Sequence, residues 1–207
     1  MPRTIGLAAH DISCLRGGRI VFQDLSFQLG AGEALLVSGP NGAGKTSLLR
    51  QIAGLLLLAA GELRLEGAGP DAVLPELCHY VGHANAVKAA LSVSENLAFW
   101  ADFLEGDRAG LERALAAFGL IPLADLPAGL LSAGQKRKLA LSRLFAAPRP
   151  IWLLDEPQSS LDAASLRLLD AAIKDHLKTG GIAVVASHTP LKTKFAHKLA
   201  LGKERVS

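Results

Sequence analysis

Cysteine is nearly missing: Cys14 and Cys78 are the only two in 207 residues, and they make no Cys-x-x-Cys pair. That excludes a disulfide framework, and the Cys-x-x-Cys-His of covalent heme attachment is absent as well. Aromatics are scarce at 5%, with one Tyr. Charge of one sign is lacking. The 22 basic and 19 acidic residues leave a net +3, too weak to argue for a nucleic-acid partner. A membrane-spanning helix needs roughly 20 apolar residues. The longest apolar run here, Leu55 to Ala60, is closed by Gly61-Glu62. The opening MPRTIGLAAH has no apolar signal-peptide core and soon meets Asp11. These absences predict a cytosolic chain without direct membrane insertion, serving a membrane only from its surface or through a partner.

What is present is apolar mass: half the residues are hydrophobic, mostly Leu and Ala, and a fifth are charged. Wholesale disorder is ruled out, and the length suits one domain with a subdomain. Residues 1 to about 80 read as strands opening onto a glycine-rich loop and a helix. Ala34-Leu35-Leu36-Val37 reads as a buried strand and Ser47 to Leu58 as a helix. From about 86 to 147, apolar residues fall three and four apart (Leu97, Trp100, Phe103, Leu104, then Leu111, Leu115, Phe118), predicting a helical insert. Strand character returns at Ile151–Leu154 and Ile182–Val185, with a helix around 163–178 between them. Strand, helix, strand in this order implies a parallel sheet with right-handed crossovers.

Gly39-Pro40-Asn41-Gly42-Ala43-Gly44-Lys45-Thr46 fits G-x-x-x-x-G-K-[ST] between a predicted strand and a predicted helix. Backbone N–H groups must converge on phosphate oxygens, and side chains would block that approach, so glycines suit the loop. The helix start, including Ser47, adds positive dipole. Lys45 can reach the β- and γ-phosphates, and the Thr46 hydroxyl can ligate Mg²⁺. Asp155-Glu156 follows a buried strand, at the sheet edge where α/β proteins bind ligands. Asp155 suits the Mg²⁺ shell, and Glu156 can orient or deprotonate an attacking water. Leu131-Ser132-Ala133-Gly134-Gln135 precedes a strong helix. It is either an ordinary serine cap or a second anion site, and a second site beside a complete phosphate loop suggests a partner's nucleotide.

The phosphate loop, LSAGQ, LLDEP, Ser160-Leu161-Asp162 and Ser187-His188, in this order and spacing, resemble the nucleotide-binding subunit of ABC transporters over essentially the whole chain. The resemblance implies an α/β fold: a P-loop NTPase (RecA-like) core over 1–85 and 148–207, a small N-terminal antiparallel β portion, and an inserted α-helical subdomain over about 86–147. Together these would make one ABC ATP-binding domain over 1–207. It implies Mg-ATP hydrolysis by a head-to-tail homodimer. Ser132, Ala133, Gly134 and Gln135 would contact the opposite protomer's ATP, Asp162 would link the two sites, and His188 would hold Glu156 and the water in place.

Two departures narrow the resemblance. His83 stands where the usual Q-loop glutamine should, twelve residues before Glu95, and becomes a further candidate for Mg²⁺ or the water. Arg16 precedes Gly17-Gly18 where an adenine-stacking aromatic is usual, and its planar guanidinium could stack instead. With Ala133 in the signature, the sequence is similar to the ATP-binding subunits of the heme exporter of cytochrome c biogenesis, the CcmA family. That similarity implies integral-membrane permease partners of the CcmB and CcmC type, and a peripheral location on the cytoplasmic face of the bacterial inner membrane. An ABC ATPase for another export substrate is the alternative. A soluble ABC protein of translation or DNA repair would carry two cassettes or long insertions. Cys78, His79 and His83 read as core packing and loop duty rather than a metal or heme site. His10, His176 and His197 read as surface residues, and Lys136-Arg137-Lys138 as a solvated helix face.

Overall fold

Each short apolar run finds its partner in a parallel sheet. The structure, a computed structural model, describes residues 5–189 and 191–202. Strands β1 (Gly6–Arg16) and β2 (Arg19–Leu29) form a hairpin, and β4 (Ala60–Glu66) pairs with the other edge of β1, giving an antiparallel sheet of order β2-β1-β4. The hairpin turns on Gly17 and Gly18, both at positive φ, as a two-residue loop joining right-twisted strands requires. A second, parallel sheet has the order β5-β6-β7-β3-β8, from β3 (Ala34–Ser38), β5 (Cys78–Val81), β6 (Ile151–Asp155), β7 (Ile182–Ala186) and β8 (His197–Ala200). Every residue of β6 and β7 is buried, which explains why they read as continuous apolar runs rather than alternating ones.

Helix α1 (Lys45–Ile52) buries Leu48, Leu49 and Ile52 in a core with Leu7, Ile12 and Leu29 of the antiparallel sheet and Leu35, Val37, Leu153 and Val184 of the parallel one. The spacing predicts this helix over 47–58, but it stops at Ile52. Four consecutive leucines, Leu55–Leu58, have no common helical face to bury. The chain turns at Gly54, and Leu57 stands 90% exposed before β4 begins.

The chain divides into two units. One comprises Met1–Gly82, Pro150–Glu156 and Ile173–Ser207, with both sheets and α1. The other comprises His83–Arg149 and Pro157–Ala172, so it takes in residues beyond the predicted insert. It holds α2 (Val93–Phe103), α3 (Leu111–Ala117) and α4 (Ala133–Ala146). Helix α2 starts with a reciprocal cap. Ser92 Oγ accepts from Glu95 N, and Ser92 N donates to Glu95 Oε2. Within this unit the Arg143 guanidinium lies 4.5 Å from the centre of the Trp100 ring. Among the described residues, no helix is long and apolar enough to cross a membrane.

Helix α5 (Ala163–Lys178) matches its predicted span, but one of its residues departs from expectation. His176 is not a surface residue. It continues the buried stripe of Leu169 and Ile173, lies flat on Trp152 at 3.9 Å between ring centres, and places Nε2 3.2 Å from Ile182 O. Burial pushes its pKa down to about 4. Because the folded pKa lies below the unfolded value near 6.5, the fold binds fewer protons than the unfolded chain between these pH values. Its stabilising effect is complete above pH 6.5 and is lost as pH falls toward 4, to a total of about 3 kcal/mol. The urea midpoint should therefore fall more steeply between pH 7 and 4.5 in the native chain than in His176→Phe. Parallel falls in the two would refute this assignment.

Candidate active site

Three neighbouring strands, β6, β7 and β3, release their chains at the same carboxyl edge of the parallel sheet, where open α/β sheets bind ligands. After β3 comes the loop Gly39–Gly44. Gly39 sits at φ 141, and a Cβ there would come within 2.4 Å of Leu201 O, so a side chain would force the loop off the sheet. Ala43 N donates to Pro40 O at 3.2 Å, closing the turn. The loop delivers Gly44 as the first cap of α1. No side chain caps this end and no acidic residue lies in the first turn, which leaves this helix start suited to an anion.

Lys45 is buried, yet its ammonium has found acceptors. Nζ donates to Gly39 O at 2.8 Å and to Pro40 O at 3.2 Å, which curls the loop around it. One residue on, Thr46 Oγ1 donates to Asp155 Oδ2 at 2.8 Å, joining the start of α1 to the end of β6. Asp155 is 2% exposed. A hydroxyl and a carboxylate side by side, both on the cavity wall, are the hard oxygen donors that fit Mg²⁺, which takes one or two carboxylates and fills its shell with phosphate and water.

Glu156 follows at φ 46, a left-handed conformation that costs a non-glycine residue about 1–3 kcal/mol unless its surroundings hold it. Its N–H extends the β6–β7 ladder by donating to Ala186 O at 2.9 Å, and its Oε2 lies 2.8 Å from His188 Nδ1. His188 itself is exposed, two residues past β7. Sequence order separates these two groups by 32 residues; the sheet makes them neighbours.

Arg16, Val21, Asn41, Gly42, Gly44, Lys45, Thr46, Ser47, Arg50, Asp155 and Glu156 together line one open cavity of about 440 Å³, within the range of small-molecule sites. Arg16 reaches it because the tight hairpin ends β1 at this rim. Val21 and Arg50 were not expected from sequence. Arg50 was legible, since it lies on the face of α1 that carries Thr46 and Ser47, one turn further on.

The remaining predicted residues lie in the second unit. His83 is exposed at its start. Ser132 caps α4 with a reciprocal pair: Ser132 Oγ accepts from Gln135 N at 3.2 Å, and Ser132 N donates to Gln135 Oε1 at 2.8 Å. The cap uses a lone pair and leaves the hydroxyl proton to donate elsewhere. Ala133 and Gly134 occupy the first turn of α4. Asp162 likewise caps α5, its Oδ1 accepting from Ser165 N at 2.7 Å, with Lys138 Nζ 3.8 Å from Oδ2. The basic run 136–138 is not uniformly solvated, because Arg137 is 2% exposed.

A glycine loop cradling an anion site, a Thr–Asp oxygen pair and a Glu–His pair on one sheet edge define a P-loop ATPase. Residues 22–159 match the family model for ABC transporters. The chain is 53% identical over 185 residues, 89% of its length and 92% of the relative, to the cytochrome c biogenesis ATP-binding export protein CcmA of Nitrobacter winogradskyi, and 49% identical over 95% of its length to that of a Chelativorans species. It belongs to the ABC transporter family and, within it, to the CcmA family. Among solved structures, it resembles an ABC transporter ATP-binding protein of Pyrococcus furiosus at TM-score 0.82 and 24% identity, covering 95% of this chain and 97% of that one. It also resembles an ATP-binding subunit of an ABC transporter at TM-score 0.78 and 25% identity, covering 88% and 79% respectively. The first of these similarities shows the fold alone.

Proposed function

We propose that this chain is the ATP-hydrolysing subunit of a membrane export complex that delivers heme for cytochrome c maturation. One observation carries the hydrolytic part: the Thr46–Asp155 and Glu156–His188 pairs stand on one sheet edge beside the phosphate loop. The export role rests on relatives named for cytochrome c biogenesis and ATP-binding export.

In this reading the amides of residues 39–46 and the Lys45 ammonium bind the β- and γ-phosphates, with Ser47 at the helix start. Thr46 and Asp155 would hold Mg²⁺, and an ion bound there would neutralise charge on the phosphate oxygens. The Arg16 guanidinium stacks on adenine. Glu156 accepts the proton of the attacking water, and His188 keeps its carboxylate aimed by sharing Oε2. Two copies close head to tail, so that Ser132, Ala133, Gly134 and Gln135 of one chain meet the γ-phosphate bound by the other, with Asp162 near the junction. The two units form one ATP-binding cassette. It docks on permease subunits of the CcmB and CcmC type at the cytoplasmic face of the bacterial inner membrane, peripheral to the bilayer.

Deleting the gene and staining membranes for covalently bound heme tests the assignment. Holo-cytochromes c should disappear, and should return with the native chain but not with a Lys45→Ala variant. Undiminished staining in the deletion strain would instead favour an exporter of another substrate, identified by the membrane protein that co-purifies.

A further inference from the structure

Arg137 is an arginine where a helix face was expected to meet water. It lies on α4, five residues past Ser132, and is 2% exposed. A buried guanidinium persists only when its donors are satisfied. Here the fork spreads over two separate stretches of chain. Nε donates to Pro157 O at 3.1 Å, and Nη1 donates to Asn85 Oδ1 at 3.2 Å. The two acceptors are 72 residues apart in sequence, and α4 holds the donor between them on a well-buried helix.

Pro157 is the residue after Glu156. Its ring fixes its own φ near −65° and restricts the residue before it. Glu156 already sits at φ 46. It is thus pinned at its own N–H by Ala186 O and, one residue later, at the Pro157 carbonyl by Arg137. A strained conformation survives only where the surroundings over-determine it.

We propose that Arg137 is a positioning residue for hydrolysis, fixing the Glu156 carboxylate through the Pro157 carbonyl and coupling it to the segment that carries Asn85. This rests on the reading of Glu156 as the group that takes the water's proton. The planar fork suits the task, because two of its edges face two acceptors at fixed angles; a lysine ammonium is a point charge that cannot do the same.

The test is steady-state ATP hydrolysis by the purified full chain, with nucleotide affinity and melting temperature measured in parallel. Misplacing a catalytic group by about 1 Å can cost about 100-fold in rate. Arg137→Met should therefore lower kcat by roughly 10- to 100-fold while nucleotide affinity stays within about threefold. Arg137→Lys should restore the melting temperature but not kcat. Asn85→Ala, at a half-buried partner, should lower kcat alone, and the double variant should be no slower than Arg137→Met, since both changes break one fork. An unchanged kcat in folded Arg137→Met, or full rescue of kcat by lysine, overturns the proposal. If Arg137→Met does not fold, Asn85→Ala decides, and an unchanged kcat there overturns it. Hydrolysis by the native chain and by Glu156→Gln is measured alongside. A native chain without ATPase activity, or an undiminished Glu156→Gln, refutes the hydrolytic reading itself. Failure of the Arg137 series alone refutes only the positioning role.

Discussion

Replacing Glu156 with glutamine will cut ATP hydrolysis by at least about 100-fold while ATP remains bound, the lower range of what a positioned general base contributes. The substitution keeps size and shape, so the backbone link to Ala186 is untouched and the amide oxygen can still face His188 Nδ1. What is lost is the ability to take a proton. Lys45, Thr46 and Asp155, which meet the phosphates and Mg²⁺ in the proposed reading, are unchanged, so affinity should hold. Phosphate release in a single turnover reads the first quantity, and gel filtration with ATP reads the second as an accumulated dimer. Undiminished hydrolysis in this variant would remove Glu156 from its assigned role.

Lys45→Ala should act on the other half of the site. Its ammonium is a buried cation resting on two carbonyls, which in the proposed reading it exchanges for phosphate oxygens. A hydrogen bond to a charged group contributes about 1.5–3 kcal/mol. Losing two such contacts to the triphosphate amounts to about 3 kcal/mol or more, hence a fall in affinity of at least roughly 100-fold. Titration with a fluorescent ATP analogue measures it, and a circular-dichroism melt confirms that the sheet is intact. Affinity within threefold of the native chain would place the nucleotide elsewhere.

The strands at 34–38, 151–155 and 182–186 were legible because fully buried parallel strands write themselves as unbroken apolar runs. The loop was legible because its glycines and lysine occupy fixed positions between a strand and a helix. Periodicity failed where local composition misled. Leu55–Leu58 looked like the continuation of α1, yet a run of four identical apolar residues has no preferred face. Arg137 looked solvated because it sits between two lysines. Its helical neighbours Ala140, Leu141 and Leu144 are buried, and a stripe through 137, 140, 141 and 144 carried the signal. His176 carries the same kind of signal, seven residues past the buried Leu169 and three past the buried Ile173 on one face of α5. The capping pair of Ser132 with Gln135 is half legible: the serine suits a cap, and its partner is the glutamine three residues on. The Glu156–His188 contact depends on which strands neighbour each other in the sheet, and periodicity does not encode that order.

The strand order also sets a timetable for synthesis. Among the described residues, strand β3, which leads into the glycine loop, pairs with β7 and β8, and neither exists until about residue 182 has been made. At roughly 5–20 residues per second, translation leaves Leu35-Leu36-Val37 without a sheet partner for on the order of ten seconds or more. The antiparallel strands β1, β2 and β4, complete by Glu66, can pair long before that. The phosphate loop is therefore translated early yet gains its Glu–His neighbours only when the last strands dock, so a nascent chain should acquire its active-site edge in a single late step.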